Sequence, residues 1–317
     1  MKNETRTATS TKQIHLTRRS PHYWRVTIDH PPLNIFGPET IPQLNEVITS
    51  LETDEDVKVV VFDSAVEGFF LTHYDFLAKL DDTTRLPPGP TGLQPLPDML
   101  VRLSRAPVAS IASIRGRATA VGSELALACD MRFASREKAI LSQFEVGAGI
   151  VPGGGPMARL PRLIGRGRAL EVLLGADDIP GDLAERYGYV NRSLPDAELD
   201  EFVESLATRI ASFDKRAIGE TKHFVDVASL PVWVASRISA PIAWMRCSMQ
   251  VVGLCEAQVA SAVLRGLRSN AGEKITWLPA RREARVRANV VVAVRSRATI
   301  HIPTSPRRQR SPCCWPP

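Results

Sequence analysis

Two glutamates, 21 positions apart, carry the clearest suggestion of proton chemistry in this sequence. Glu124 stands at the front of AVGSELALACD (120–130), a run of small apolar residues that reads as a buried helix. Glu145 precedes a glycine-rich segment, GAGIVPGGG (147–155). A carboxyl buried among apolar groups keeps its proton more tightly, and its pKa then approaches the pH at which it must work as an acid or base. A helix start adds unpaired N–H groups and the positive end of the macrodipole, where negative charge is stabilised. Each residue alone also has a plainer explanation. A first-turn glutamate complements the dipole without any catalytic reason. Glu145 alone is a loop residue before a turn, in which Gly153, Gly154 and Gly155 permit positive φ.

Elements on either side must hold these groups. Tyr23–Asp29 alternates and ends at HPP, so it reads as a strand. Residues 38–52 place apolar side chains at 41, 44, 47, 48 and 51, a helical spacing with Pro38 in the first turn. VKVVVFD (57–63) and VASIASI (108–114) are apolar on both faces, as strands covered on both sides are. Strand, helix, strand, loop, helix, strand is the rhythm of right-handed crossovers, so an α/β fold with parallel sheets is expected. Residues 81–97 are rich in Pro and Gly without periodicity, and read as a lid, a binding segment or a neutral loop. From about residue 180 the patterns become helical, with a stripe at Leu199, Phe202, Val203, Leu206 and Ile210.

With 317 residues and 44% hydrophobic content, the chain is long enough for a substantial core. No apolar run reaches the ~18–20 residues of a membrane helix. The five cysteines have neither metal-ligand nor disulfide-framework spacing, so no metal and a reduced, cytoplasmic setting are expected. The net charge of +6 is uneven. Nine arginines against Glu283 place +8 in residues 281–317 and leave −2 for the rest. That tail reads either as an unstructured extension or as a strip for nucleic acid or another anionic surface.

Three blocks together resemble the enoyl-CoA hydratase/isomerase, or crotonase, superfamily. VASIASIRGRATAVGSELALACDMRFAS (108–135) is similar to its strand, N-G-x-A-x-G-G-G-x-E-L-A-L-A-C-D, strand signature. LSQFEVGAGIVPGGGPMARLPRLIG (141–165) resembles the block in which G-Q-P-E precedes a glycine turn. VVVFDSAVEGFFLTHYDF (59–76) resembles the block ending F-S-A-G-x-D. The resemblance covers residues 20–227. It implies a crotonase-like spiral of ββα units with parallel sheets over residues 20–195, and a helical trimerisation region over 196–273. Segments 1–19 and 274–317 are expected to lie outside the fold as an unstructured N-terminus and a basic tail.

The resemblance also implies a substrate, a coenzyme A thioester, and no further cofactor. Backbone N–H groups of Tyr74 and Val121 would hold the thioester oxygen as it gains charge. Glu124 and Glu145 would handle the protons. Both positions are acidic, which favours hydration of a 2-enoyl-CoA over isomerisation. The alternatives are isomerisation, acyl-CoA hydrolysis, or a non-catalytic member binding CoA or RNA. A homotrimer or dimer of trimers is implied. Three places depart from the family pattern. Ala120-Val121-Gly122 replaces three glycines, His73 stands where the pattern has glycine with Tyr74 following it, so that bulk there could narrow the pocket, and Arg115 replaces the asparagine of N-G. Gly122 and His73 are thus expected at the substrate pocket, with His73 either a proton donor or simply packed. Lys79, Arg85, Arg105 and Lys222 lie in segments from which CoA's phosphates could be reached.

Overall fold

The computed structural model describes residues 12–75, 78, 82 and 86–230. Among the described residues, ten strands form two sheets. The larger has the order β1-β2-β3-β5-β7-β10, made of β1 (Ile14–Arg18), β2 (Tyr23–Ile28), β3 (Val59–Ser64), β5 (Ala109–Ile114), β7 (Met131–Ser135) and β10 (Arg192–Leu194). The β1–β2 pair is antiparallel and every other pairing in this sheet is parallel. The smaller has the order β4 (Phe69–Leu71), β6 (Arg117–Thr119), β8 (Ile140–Ser142) and β9 (Ile179–Pro180). Successive strands alternate between the sheets: β3 then β4, β5 then β6, β7 then β8. A helix follows each pair: α2 (Pro95–Arg105), α3 (Val121–Ala128) and α4 (Pro156–Gly175). This is the expected spiral of ββα units.

The doubly apolar strands are explained by two cores. Along β3, Val60 and Phe62 enter one core while Val59 and Val61 enter the other. The first core takes α1 (Thr40–Thr53) through Ile41, Leu44, Val47, Ile48 and Leu51, the stripe expected from the sequence. The second takes α6 (Asp196–Ala211) through Leu199, Val203 and Ala207. Full burial of a Leu or Val side chain contributes roughly 1.5–3 kcal/mol, so this one stripe is enough to seat α6 on the sheet. Leu206 and Ile210 pack at its edge.

Two boundaries differ from expectation. Residues 14–18, expected within an unstructured N-terminus, form β1 and pair with β2 from Ile14↔Ile28 to Arg18↔Trp24. Ile14 is buried and Leu16 packs partly buried against the first core, so IHLTR alternates over only two apolar residues, a short signal for a strand. Strands also continue past residue 180 as β10 before the helices α6 and α7 (Lys215–Ser229). Between β9 and β10 lies α5 (Gly181–Tyr187). Residues 231–273 and the basic tail lie outside the described residues. No helix among the described residues is long and apolar enough to cross a membrane.

Candidate active site

The helix α3 starts against β4, and Gly122 makes that approach possible. Its N–H donates to Thr72 O at 3.1 Å, and a Cβ there would lie 1.7 Å from Leu71 O. Close packing of helix on strand accounts for this glycine without any contact to a substrate. On its other side the 72–75 segment pairs with residue 36: Phe36 N–H donates to His73 O at 3.0 Å, and Asp75 N–H to Phe36 O at 2.8 Å. Because alternate amides of an extended segment point opposite ways, the Tyr74 N–H faces away from Phe36. Val121 is the first residue of α3, and its N–H has no hydrogen-bond acceptor among the described residues. The Val121 side chain, which stands where the family pattern has glycine, is 5% exposed and packed into the first core.

Ala120 precedes the helix at φ 49°, ψ −114°, a region that L-residues other than glycine seldom enter. Its N–H donates to Ser142 O at 2.9 Å and its carbonyl accepts from Glu124 N–H at 2.8 Å. The strained turn therefore ties β8 to the first turn of α3.

Glu124 is buried at 2% exposure, and its Oε1 accepts the Gly154 N–H at 2.6 Å. The three glycines, expected as turn formers, divide their tasks. Gly155 takes φ 93° ahead of α4. A Cβ on Gly154 would lie 2.2 Å from Glu124 Oε2, so only glycine brings an amide this close to the carboxyl. Gly153 has open space around it. Burial pushes the Glu124 pKa up to about 7, against the opposing pull of the Gly154 N–H and of the Arg159 charge.

Arg159, on α4, is a residue that sequence reasoning passed over. Its Nη2 donates to Leu100 O at 3.1 Å and Ser104 Oγ at 2.7 Å, and burial lowers its pKa to about 10. In ARLPRLIG it looks like one more solvated charge.

Glu145 opens a 3-10 turn (Glu145–Ala148) and is 8% exposed. Burial raises its pKa to about 8, and the neighbouring Glu124 charge raises it further still within that value. The two carboxyls, 21 residues apart in sequence, thus meet as one buried pair. Glu124 faces an N–H donor and a guanidinium charge, and burial raises both carboxyls, so the pair titrates together and holds a proton near neutral pH.

His73 is half-buried, with its Nδ1 2.8 Å from Tyr74 O and its ring edge-on to Phe144, the residue before Glu145. Burial lowers its pKa, outweighing the Tyr74 carbonyl and the Asp75 charge. A carbonyl only accepts, so Nδ1 carries the proton of this contact. Arg115 is taken up elsewhere: it donates to Asp196 Oδ1 at 2.9 Å, Asp196 O at 2.7 Å and Asp200 Oδ2 at 2.8 Å, fastening the start of α6. Lys222 donates to Asp130 Oδ2 and Val108 O, both at 2.9 Å, and so ties α7 to the sheet. Arg105 is exposed. Lys79 and Arg85 lie outside the described residues.

Residues 22–231, two thirds of the chain, match the family model for enoyl-CoA hydratase/isomerase. The chain belongs to this family. It is 33% identical over 205 residues to a short-chain-enoyl-CoA hydratase of Clostridium acetobutylicum, covering 63% of this chain and 76% of that protein. It is 33% identical over 192 residues to a crotonyl-CoA hydratase of Syntrophomonas wolfei, covering 60% and 72%. Among solved structures, a candidate enoyl-CoA hydratase from Streptomyces avermitilis superposes with a TM-score of 0.71 at 39% identity, covering 80% of this chain and 91% of that one.

Proposed function

We propose that the protein adds water reversibly across the double bond of a 2-enoyl-CoA. The observation that carries this reading is the unequal pair of buried carboxyls beside the start of α3. Glu124, favoured as the carboxylate, takes a proton from the water that attacks C3. Glu145, holding the pair's proton, delivers it to C2. The thioester oxygen gains charge in between, and the N–H groups of Val121 and Tyr74 stabilise it. Removing one such donor typically costs roughly 3–4 kcal/mol of transition-state stabilisation. Each turnover moves one proton from Glu145 to Glu124, and its return through solvent resets the pair. Two acidic positions fit hydration better than isomerisation, for which one shuttling carboxyl suffices. The names of the two hydratases from Clostridium and Syntrophomonas support the same substrate class.

Assembly into trimers belongs to the same proposal. Phe224, Val225 and Val227 of α7 are 70%, 57% and 69% exposed, an apolar face suited to a second copy of the chain.

The test is the decay of enoyl-thioester absorbance with purified protein and 2-enoyl-CoAs of several chain lengths. Saturable decay with a 3-hydroxyacyl-CoA product is expected. Tight binding of CoA esters with no turnover of any of them would overturn the hydratase reading. Migration of the double bond without water uptake would replace it by isomerisation.

A further inference from the structure

Behind Glu145 lies a row of fully buried polar side chains from three separate segments. Gln143 ends the β8 segment, Ser123 sits on α3 beside Glu124, and Tyr189 follows α5; all three have no solvent exposure. Gly188 closes α5 with φ 81°, and the Tyr189 N–H caps the helix on Ala184 O at 2.8 Å. Tyr189 is held from the other side as well, because Arg132 Nε donates to its carbonyl at 3.0 Å. The Tyr189 hydroxyl meets Ser123 Oγ. Ser123 Oγ in turn lies 3.0 Å from the Gln143 side-chain oxygen, and the Gln143 nitrogen lies 2.9 Å and 3.2 Å from the two oxygens of Glu145. The amide takes this orientation because the opposite one would turn its oxygen towards acceptors and its nitrogen towards donors. The hydroxyls must then donate towards the amide oxygen. A serine has one proton to give, and giving it to Gln143 leaves its lone pairs for Tyr189.

We propose that Tyr189, Ser123 and Gln143 form a one-way hydrogen-bonded chain that positions Glu145, with every donor pointing towards its carboxyl. These are positioning residues, and their role rests on the proposed acid/base part of Glu145. Gln143 offers only N–H to the carboxyl on its side. The acid proton of Glu145 is therefore kept off that side and held where a substrate carbon can take it. The same donors favour the ionised form and restrain the upward shift that burial imposes. Tyr189 stays protonated throughout, because burial raises its pKa far above neutrality.

The experiment reads Glu145 directly, by its 13C carboxyl resonance in glutamate-labelled protein, assigned by difference from Glu145→Gln. In Gln143→Leu the titration midpoint of Glu145 should rise by about one to two pH units, the worth of hydrogen bonds to a charged group. Tyr189→Phe keeps the ring and removes only the O–H, and should give a smaller shift in the same direction. In turnover, both should lower kcat at unchanged KM and move the basic limb of the pH profile upward. An unmoved midpoint in folded Gln143→Leu overturns the proposal. If Gln143→Leu fails to fold, Tyr189→Phe decides: a raised midpoint supports the chain and an unmoved one overturns it. The resonance does not need turnover. A shifted midpoint in a protein that hydrates no enoyl-CoA would overturn the hydratase reading and leave the positioning chain standing.

Discussion

The Gly154 N–H lies 2.6 Å from Glu124 Oε1, and this contact joins the glycine turn after Glu145 to the helix that carries the other carboxyl. Glu145 takes its donors elsewhere, from its own backbone N–H and the Gln143 amide. The two glutamates thus sit in different settings, and that of Glu124 includes a backbone amide that only glycine can bring so near.

Gly154→Ala should therefore be costly in a specific way. The new methyl would start 2.2 Å from Glu124 Oε2, and the buried carboxyl has no solvent to swing into. Overpacking of this kind costs roughly 1–3 kcal/mol of stability. Turnover should fall more than about tenfold even where urea unfolding shows a mostly folded protein, since sub-ångström displacement of an acid/base group is expensive. Kinetics and urea melts on the same sample check both halves.

The carboxyl pair should also make stability fall with rising pH. The folded values of about 7 for Glu124 and about 8 for Glu145 lie above the roughly 4.3 of an unfolded glutamate. Across that window the folded state binds more protons than the unfolded one, so unfolding becomes easier as pH rises. The contribution is whole below about pH 4 and is lost by the time pH passes about 8. Glu145→Gln should match the parent near pH 5 and exceed it in urea midpoint near pH 9. Parallel pH dependences in parent and variant would contradict the burial-driven shift.

Ala120→Gly should stabilise the protein by about 1 kcal/mol, because glycine adopts positive φ without the clash an L-residue suffers. The rise should appear in the urea midpoint at unchanged slope. Catalysis should not fall, since the Ala120 carbonyl and N–H bonds are backbone bonds that glycine keeps.

Much of the fold was legible because its signals are local. The stripe 41, 44, 47, 48 and 51 needs only helical periodicity, and VVVF reads as covered on both faces because its residues alternate between two cores. β1 was missed because its alternation, Ile14 and Leu16, is too short to mark a strand until β2 pairs with it. At the site, the matching blocks singled out Glu124, Glu145 and Val121. They did not reveal that Val121 packs inward, that the part-buried Arg159 bears its charge on Glu124, or that Arg115 reaches 81 residues ahead to Asp196. The Ser123–Tyr189 contact spans 66 residues, and nothing in either residue's neighbourhood announces it. Such facts depend on which distant segments the sheets bring together, and single-chain patterns do not carry them.

The central claim is that two unequal carboxyls divide the proton work of hydration. Its most direct test compares kcat for hydration of a 2-enoyl-CoA in the parent, Glu124→Gln and Glu145→Gln, each checked for folding by urea melts. The account predicts that each variant loses at least about 10²–10⁴-fold in kcat, the usual worth of a positioned acid or base, with Glu145→Gln the more severe. It also predicts that Glu124→Gln loses more in hydration than in double-bond isomerisation. Hydration by a folded Glu145→Gln at a rate near the parent's would contradict it.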